Sequence, residues 1–225
     1  MTVRWHRATA SEVPADDTWL TDRERRVLAG LAMERRRCDW RLGRWTAKSL
    51  VAALLDVPVV RVELRTADDG APEAVVDSAP SGLSVSLSHR DCVAVAAVAP
   101  APTVVGIDLE TLEVRSDAFV REWLSDEERA TLPSTGRERD VLVLCRWTGK
   151  EASAKVLREG LRLDVRHAVV SATLTSGPTG WSPLRVTWTR ECIEHRGWWR
   201  HDERTVVAVV SEPPGHPPVD LRSDV

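Results

Sequence analysis

The chain has 225 residues, 31 basic and 34 acidic side chains and a formal charge of -3, which argues against a general nucleic-acid binder but allows a local cationic patch. Its 43% hydrophobic content is ample for a core, in one domain or two compact halves, and excludes disorder. No apolar run approaches the roughly 20 residues of a membrane helix, and the start of the chain carries no apolar signal segment, so a cytoplasmic protein is expected.

Residues 2–7 alternate apolar and polar and predict a short strand. From Asp22 the period turns helical, through Leu28, Trp45, Leu50 and Leu54, with a break near Gly30 and an end at Asp56-Val57-Pro58. Strands follow at 59–65, 83–87, 92–98 and 104–109, with an Asp-Asp-Gly-Ala-Pro turn at 68–72. The second half repeats this plan, with helices at 117–130 and 139–159 and strands at 166–174, 184–190 and 205–210. The Pro-rich stretch at 213–218 reads as a tail or linker.

Arg44-Trp45-Thr46-Ala47-Lys48 recurs as Arg146-Trp147-Thr148-Gly149-Lys150, and the segment from His89 recurs loosely from His201. We therefore expect an internal duplication: an α/β (α+β) protein of two pseudo-twofold related lobes, 1–105 and 106–225. Each lobe would be a long helix on a small, mostly antiparallel sheet, with the active site in the cleft between them. Cys38, Cys92, Cys145 and Cys192 are too far apart for a metal clamp or redox pair.

Three features carry chemistry. Asp108 and Glu110, two apart at a strand end, point the same way. They are either exposed charges or a hard-cation site for magnesium beside a substrate phosphate. Glu151 and Lys155, four apart in a helix, share a face; the plain alternative is a surface ion pair. Arginine would serve that plain role equally well, and only three of the 31 basic residues are lysine: Lys48, Lys150 and Lys155. Residues 23–48 hold nine basic against three acidic side chains, with Arg37, Arg41, Arg44 and Lys48 forming one helical stripe that suits a phosphate or an acidic protein, or simply faces solvent. His89 leaves a strand close by and would add a donor, unless it is only a cap or core contact. No dinucleotide, P-loop or nucleophile-elbow motif is present.

Leu87-Ser88-His89, Gly106-Ile107-Asp108-Leu109-Glu110 and Trp147-Thr148-Gly149-Lys150-Glu151-Ala152-Ser153-Ala154-Lys155 together resemble the 4'-phosphopantetheinyl transferases, specifically the long two-lobed type that activates non-ribosomal peptide and polyketide synthases (surfactin-synthetase-activating type). Leu42-Gly43-Arg44 and Gly70-Ala71-Pro72 look like further landmarks. The resemblance implies transfer of the phosphopantetheine arm of coenzyme A to a serine of an apo acyl or peptidyl carrier protein. By resemblance, Asp108, Glu110 and Glu151 hold magnesium, Glu151 takes the serine proton and Lys155 stabilises the departing 3',5'-adenosine bisphosphate. Arg44 and His89 would hold the nucleotide end, with Arg36, Arg37 and Lys48 as weaker contributors and Lys150 helping with phosphates or the helix junction. Ala71 stands where the family usually has lysine, and Arg90 where it often has a small polar residue. A monomer is expected, with no nucleic-acid or membrane partner. The rivals are another magnesium-dependent nucleotide-diphosphate transferase or hydrolase, and an inactive carrier-protein or nucleotide-binding module.

Overall fold

A computed structural model describes residues 2–159, 163–173 and 180–224. Two sheets form the frame. The first has the order β11-β1-β5-β4-β3-β2 and the second β6-β10-β9-β8-β7. The first-sheet strands are β1 (Arg4–Thr9), β2 (Val62–Thr66), β3 (Pro72–Val76), β4 (Ala79–Arg90), β5 (Val93–Pro100) and β11 (Val219–Asp220). Those of the second are β6 (Val104–Thr111), β7 (Ala168–Ala172), β8 (Ser182–Trp188), β9 (Ile193–His201) and β10 (Thr205–Glu212). All pairings are antiparallel except β1 with β11. Helix α2 (Glu34–Leu55) buries Ala47, Leu50 and Val51 against the first sheet. Helix α5 (Arg137–Leu157) buries Val141, Leu144 and Ala152 against the second. The expected α+β architecture of two helix-on-sheet lobes is the one observed.

The near-continuous apolar run of β5 follows from its place in the middle of the molecule. Val98 and Ala96 pack under α2, while Val95, Ala97 and Ala99 meet Val105, Ile107, Val207 and Val209 of the second sheet. A strand covered on both faces has no polar side to show. Where the lobes meet, the period-two serines of β4 replace a strand ladder: Val105 and Ile107 donate their amides to Ser84 Oγ and Ser86 Oγ, each at 3.1 Å. These bonds satisfy the open edge of β6, which would otherwise carry unpaired buried amides.

The duplication is written most clearly in two buried ion pairs. Trp19-Leu20-Thr21-Asp22-Arg23-Glu24-Arg25 has its counterpart in Trp123-Leu124-Ser125-Asp126-Glu127-Glu128-Arg129. In each copy the Thr or Ser N-caps a short helix, α1 (Asp22–Ala29) or α4 (Asp126–Ala130), and the Glu closes a capping box. That same Glu accepts from a strand amide of its lobe: Leu64 N to Glu24 at 3.1 Å, Val170 N to Glu128 at 2.8 Å. Its other oxygen meets a lysine of the long helix, Lys48 at 2.5 Å or Lys150 at 2.8 Å. Each lysine also donates to the carbonyl of the repeated tryptophan, Trp19 or Trp123.

Several local expectations need correction. The helix expected over 117–130 is two, α3 (Asp117–Trp123) and α4, because Leu124 in extended backbone ends the first and Ser125 caps the second. Residues 59–61 form a 3-10 turn ahead of β2. Strands β3 and β9 were not anticipated. In β3 the turn residues run straight into the strand, and β9 hides its period behind five charged or histidine side chains and Gly197. That glycine is required by packing, since a Cβ there would sit 2.3 Å from the Val209 carbonyl oxygen. After the Pro-rich stretch the chain returns to the first sheet as β11, with Val219 N donating to Val3 O at 3.0 Å. The expected strand over 166–174 is β7; residue 174 lies outside the described residues. The four cysteines are free. No helix among the described residues is long and apolar enough to cross a membrane.

Candidate active site

Between the lobes lies a cavity of about 1420 Å³ whose walls include Arg44, Trp123, Trp147, Glu151, Lys155 and Arg158. Its chemistry is built where β6 crosses α5. Gly106 makes that crossing possible: a Cβ there would fall 1.9 Å from the Ala152 carbonyl oxygen and 3.2 Å from Lys155 Cβ. The close approach delivers Asp108, two residues on, to Lys155. The Lys155 ammonium donates to Asp108 Oδ1 at 2.9 Å, to Ile107 O at 2.8 Å and to Leu87 O at 3.3 Å. Ser88 Oγ donates to the same Asp108 oxygen at 2.8 Å.

Glu110 continues the same strand face. It accepts from Arg115 at 2.8 Å and from the Trp147 indole at 3.2 Å, with Arg90 at 3.8 Å. Trp147 in turn stacks edge-on with Phe119 and Trp123 at 5.4 and 5.2 Å, an aromatic floor that keeps its N–H aimed at Glu110. Glu151, one turn before Lys155 on α5, has no direct hydrogen-bond or ion-pair partner among the described residues. Burial, reinforced by the nearby charge of Asp108, pushes the carboxyls of both Glu110 and Glu151 above the usual range.

Asp108, Glu110, Glu151 and Lys155, chosen from two separate local spacings, are thus brought together. The three carboxylates form an all-oxygen donor set whose mutual repulsion a hard cation relieves, so their chemistry fits magnesium. Their atoms do not close on a single point: among the described residues no three His, Cys, Asp or Glu side chains converge as a metal-holding group. Lys155 and Arg115 hold Asp108 and Glu110 instead.

On the opposite wall, Arg44 is half-buried over the Trp40 ring at 4.9 Å, and its buried Nε has no partner. His89 is exposed at the end of β4, its ring packed over Gly43 next to Arg44, and does not itself line the cavity. The rest of the expected phosphate-binding group does not assemble. Lys48 and Lys150 are wholly buried in the ion pairs described above, out of reach of any ligand in the cleft. Arg37 is spent on Leu28 O and Glu34, Arg36 is exposed, and neither lines the cavity. Arg41 is consumed by the carbonyls of Pro14, Ala15 and Asp16 and by the Asp17 carboxylate. The cationic stripe is therefore no common anion surface: the chain itself satisfies most of it, leaving Arg44.

Arg115 and Trp147 at Glu110, and Ser88 at Asp108, are contacts that sequence reading missed. No local period links 115 to 110; only the structure shows the loop after β6 turning back. Glu24 and Glu128 had a usable signal in the repeated Trp-Leu-Thr/Ser-Asp-x-Glu-Arg string.

No curated protein matches the chain in a sequence search. Residues 104–208, running from the start of β6 into β10 and carrying Asp108, Glu110, Glu151 and Lys155, match the family model of the 4'-phosphopantetheinyl transferase superfamily. That segment is therefore similar to this superfamily, and the match supports a phosphopantetheinyl transferase in general terms.

Proposed function

We propose that the chain transfers the 4'-phosphopantetheine arm of coenzyme A to a serine of an apo acyl or peptidyl carrier protein, as the long two-lobed transferases do. The observation that carries this reading is the junction of β6 and α5, where Lys155 bridges to Asp108 while Glu151 stays free at the cavity wall. In the reaction the serine oxygen forms a bond to the β-phosphorus of coenzyme A and the bond to the bridging diphosphate oxygen breaks. Glu151, with its carboxyl already raised toward proton acceptance, takes the hydroxyl proton. The Lys155 ammonium, a compact charge already in the cleft, stabilises the leaving 3',5'-adenosine bisphosphate. Arg44, whose buried Nε lacks a partner, and His89 beside it receive the nucleotide phosphates. Magnesium held by Asp108, Glu110 and Glu151 would neutralise the diphosphate. Carrier domains are usually acidic on the docking helix, and the exposed arginines of α1 and early α2 (Arg23, Arg26, Arg35 and Arg36) offer the complementary charge. Each lobe supplies one wall of the cleft, so a monomer suffices.

The test is incubation of the protein with coenzyme A, magnesium and an apo carrier domain, followed by mass spectrometry of the carrier. A gain of one phosphopantetheine arm supports transfer. Binding of coenzyme A without any gain points to a non-catalytic module, and nucleotide release without gain to a hydrolase.

A further inference from the structure

Of the three carboxylates only Glu151 lines the cavity, and Glu110 is held by the side chain of Arg115. Its guanidinium donates to Glu110 Oε2 at 2.8 Å, while Trp147 donates to Oε1 at 3.2 Å, so both oxygens of Glu110 are already engaged. Arg115 comes from the loop between β6 and α3, five residues past the carboxylate it holds. It is mostly buried, with its guanidinium 5.5 Å over the Phe119 ring, and it leans on Glu113 at 3.5 Å. Its Nε is buried without a partner, which marks the arrangement as incompletely satisfied. The loop is anchored on either side, by the Leu112 amide donating to Arg204 O at 2.7 Å and by Ser116 capping α3, while Val114 between them is among the most exposed apolar side chains of the molecule.

We infer that Arg115 is a built-in competitor of the divalent cation: it neutralises Glu110 in the free protein, and a metal ion must displace it before Glu110 can join Asp108 and Glu151. The inference rests on the metal assignment made under the proposed function. It accounts for three carboxylates close enough to repel one another that do not converge on one point among the described residues. Arg115 donates to an oxygen of Glu110 that a cation would also take, and a guanidinium and a divalent ion crowded on one carboxylate repel each other, so the two compete for it. Lys155 on Asp108 is not equivalent, since its ammonium also donates to two backbone carbonyls and keeps partners when Asp108 turns away. Arg115 is in this sense a specificity residue that sets the cation concentration at which the cleft becomes complete.

The experiment measures Mn²⁺ binding to the full chain, without coenzyme A, by electron paramagnetic resonance of the free ion, with Mg²⁺ as competitor. If Arg115 holds Glu110 in about nine-tenths of molecules, apparent affinity is reduced about tenfold. Arg115→Met should therefore bind Mn²⁺ about tenfold tighter than the unaltered chain. Arg115→Lys, which keeps the charge but not the planar fork, should fall between, and it carries the test if the methionine variant does not fold. Arg90→Met separates competition from general charge. Arg90 lies 3.8 Å from Glu110 but is largely exposed, so its removal should matter less than about twofold and fade in about 0.5 M salt, where screening lengths shrink to a few Å. The Arg115 effect should persist there. Equal Mn²⁺ affinity for Arg115→Met, Arg115→Lys and the unaltered chain overturns the inference and leaves the transfer reading intact. Absence of Mn²⁺ binding in all of them also overturns it, while the carrier mass assay judges the transfer reading independently.

Discussion

Lys150 separates a structural lysine from a ligand-binding one. Its ammonium is wholly buried, 2.8 Å from Glu128 and 2.7 Å from the Trp123 carbonyl oxygen, and Glu128 is also nearly inaccessible. Replacing Lys150 by Met fills the space but leaves a buried carboxylate with its main counter-charge gone. Breaking a buried pair on one side typically costs about 3–5 kcal/mol. For a chain of this length each kcal/mol lowers the melting temperature by roughly 2–4 °C, so Lys150→Met should melt on the order of 10 °C lower. Neutralising the orphan should recover much of the loss, because Gln at 128 still offers an oxygen to the Val170 amide while removing the stranded charge. Thermal and urea unfolding of Lys150→Met, Glu128→Gln and the double variant measure the coupling. Coenzyme A binding, measured on the folded fraction, should be little changed. A Lys150→Met protein of normal stability with lost coenzyme A affinity would refute the assignment and return Lys150 to the ligand site. Lys48→Met, paired with Glu24 in the first lobe, repeats the experiment independently.

Lys155 should behave in the opposite way. It is about a third exposed, so Lys155→Arg should cost under about 1 kcal/mol of stability and retain coenzyme A binding while losing most of the turnover; normal turnover would remove its special role. Gly106→Ala forces a Cβ to within 1.9 Å of a backbone oxygen of α5, so the helix must move off β6. Expression in soluble form and amide exchange of the helix should show a loss of order out of proportion to one methyl group, and an undisturbed protein would contradict the packing. His6 and His195 are both held below the usual histidine range, chiefly by burial. Groups depressed in the folded state contribute stability in full above their unfolded pKa, near 6.5, and lose it as pH falls through that value toward the folded one. The melting temperature should therefore drop between about pH 7.5 and 5.5. The drop should be smaller in His195→Gln, which keeps an acceptor for the Ser153 hydroxyl, 2.8 Å away; an identical drop would exclude His195 as a contributor.

The parts of the molecule legible in the amino-acid order are those whose physics is local. Helical period marked α2 and α5, and the apolar runs of β5 and β10 marked the buried middle strands. Spacings of two and four put Asp108 with Glu110 and Glu151 with Lys155. The strand β9 escaped because its inward residues, His195, Gly197 and Trp199, are not an apolar alternation, and Gly197 is explained only by the carbonyl it touches. The cationic stripe was real as a pattern on one helix, but a pattern on one element does not say what covers it. Folding brought the carbonyls of residues 14–16 to Arg41 and Glu24 to Lys48, and these contacts are far apart along the chain.

The three lysines show the division most clearly. Their retention among 28 arginines was visible in the sequence, and so was the repeat that carries Lys48 and Lys150. What tertiary structure decided was which of them faces the cleft. Lys48 and Lys150 each fill a sealed site shaped for a compact ammonium between one carboxylate and one carbonyl, where a branched guanidinium has more donors than the site can satisfy. Lys155, one turn past Glu151, opens instead onto the cavity because β6 comes against α5 at Gly106. Side-chain type is read from the sequence; whether a charge meets solvent, a ligand or its own protein depends on elements brought together from distant parts of the chain.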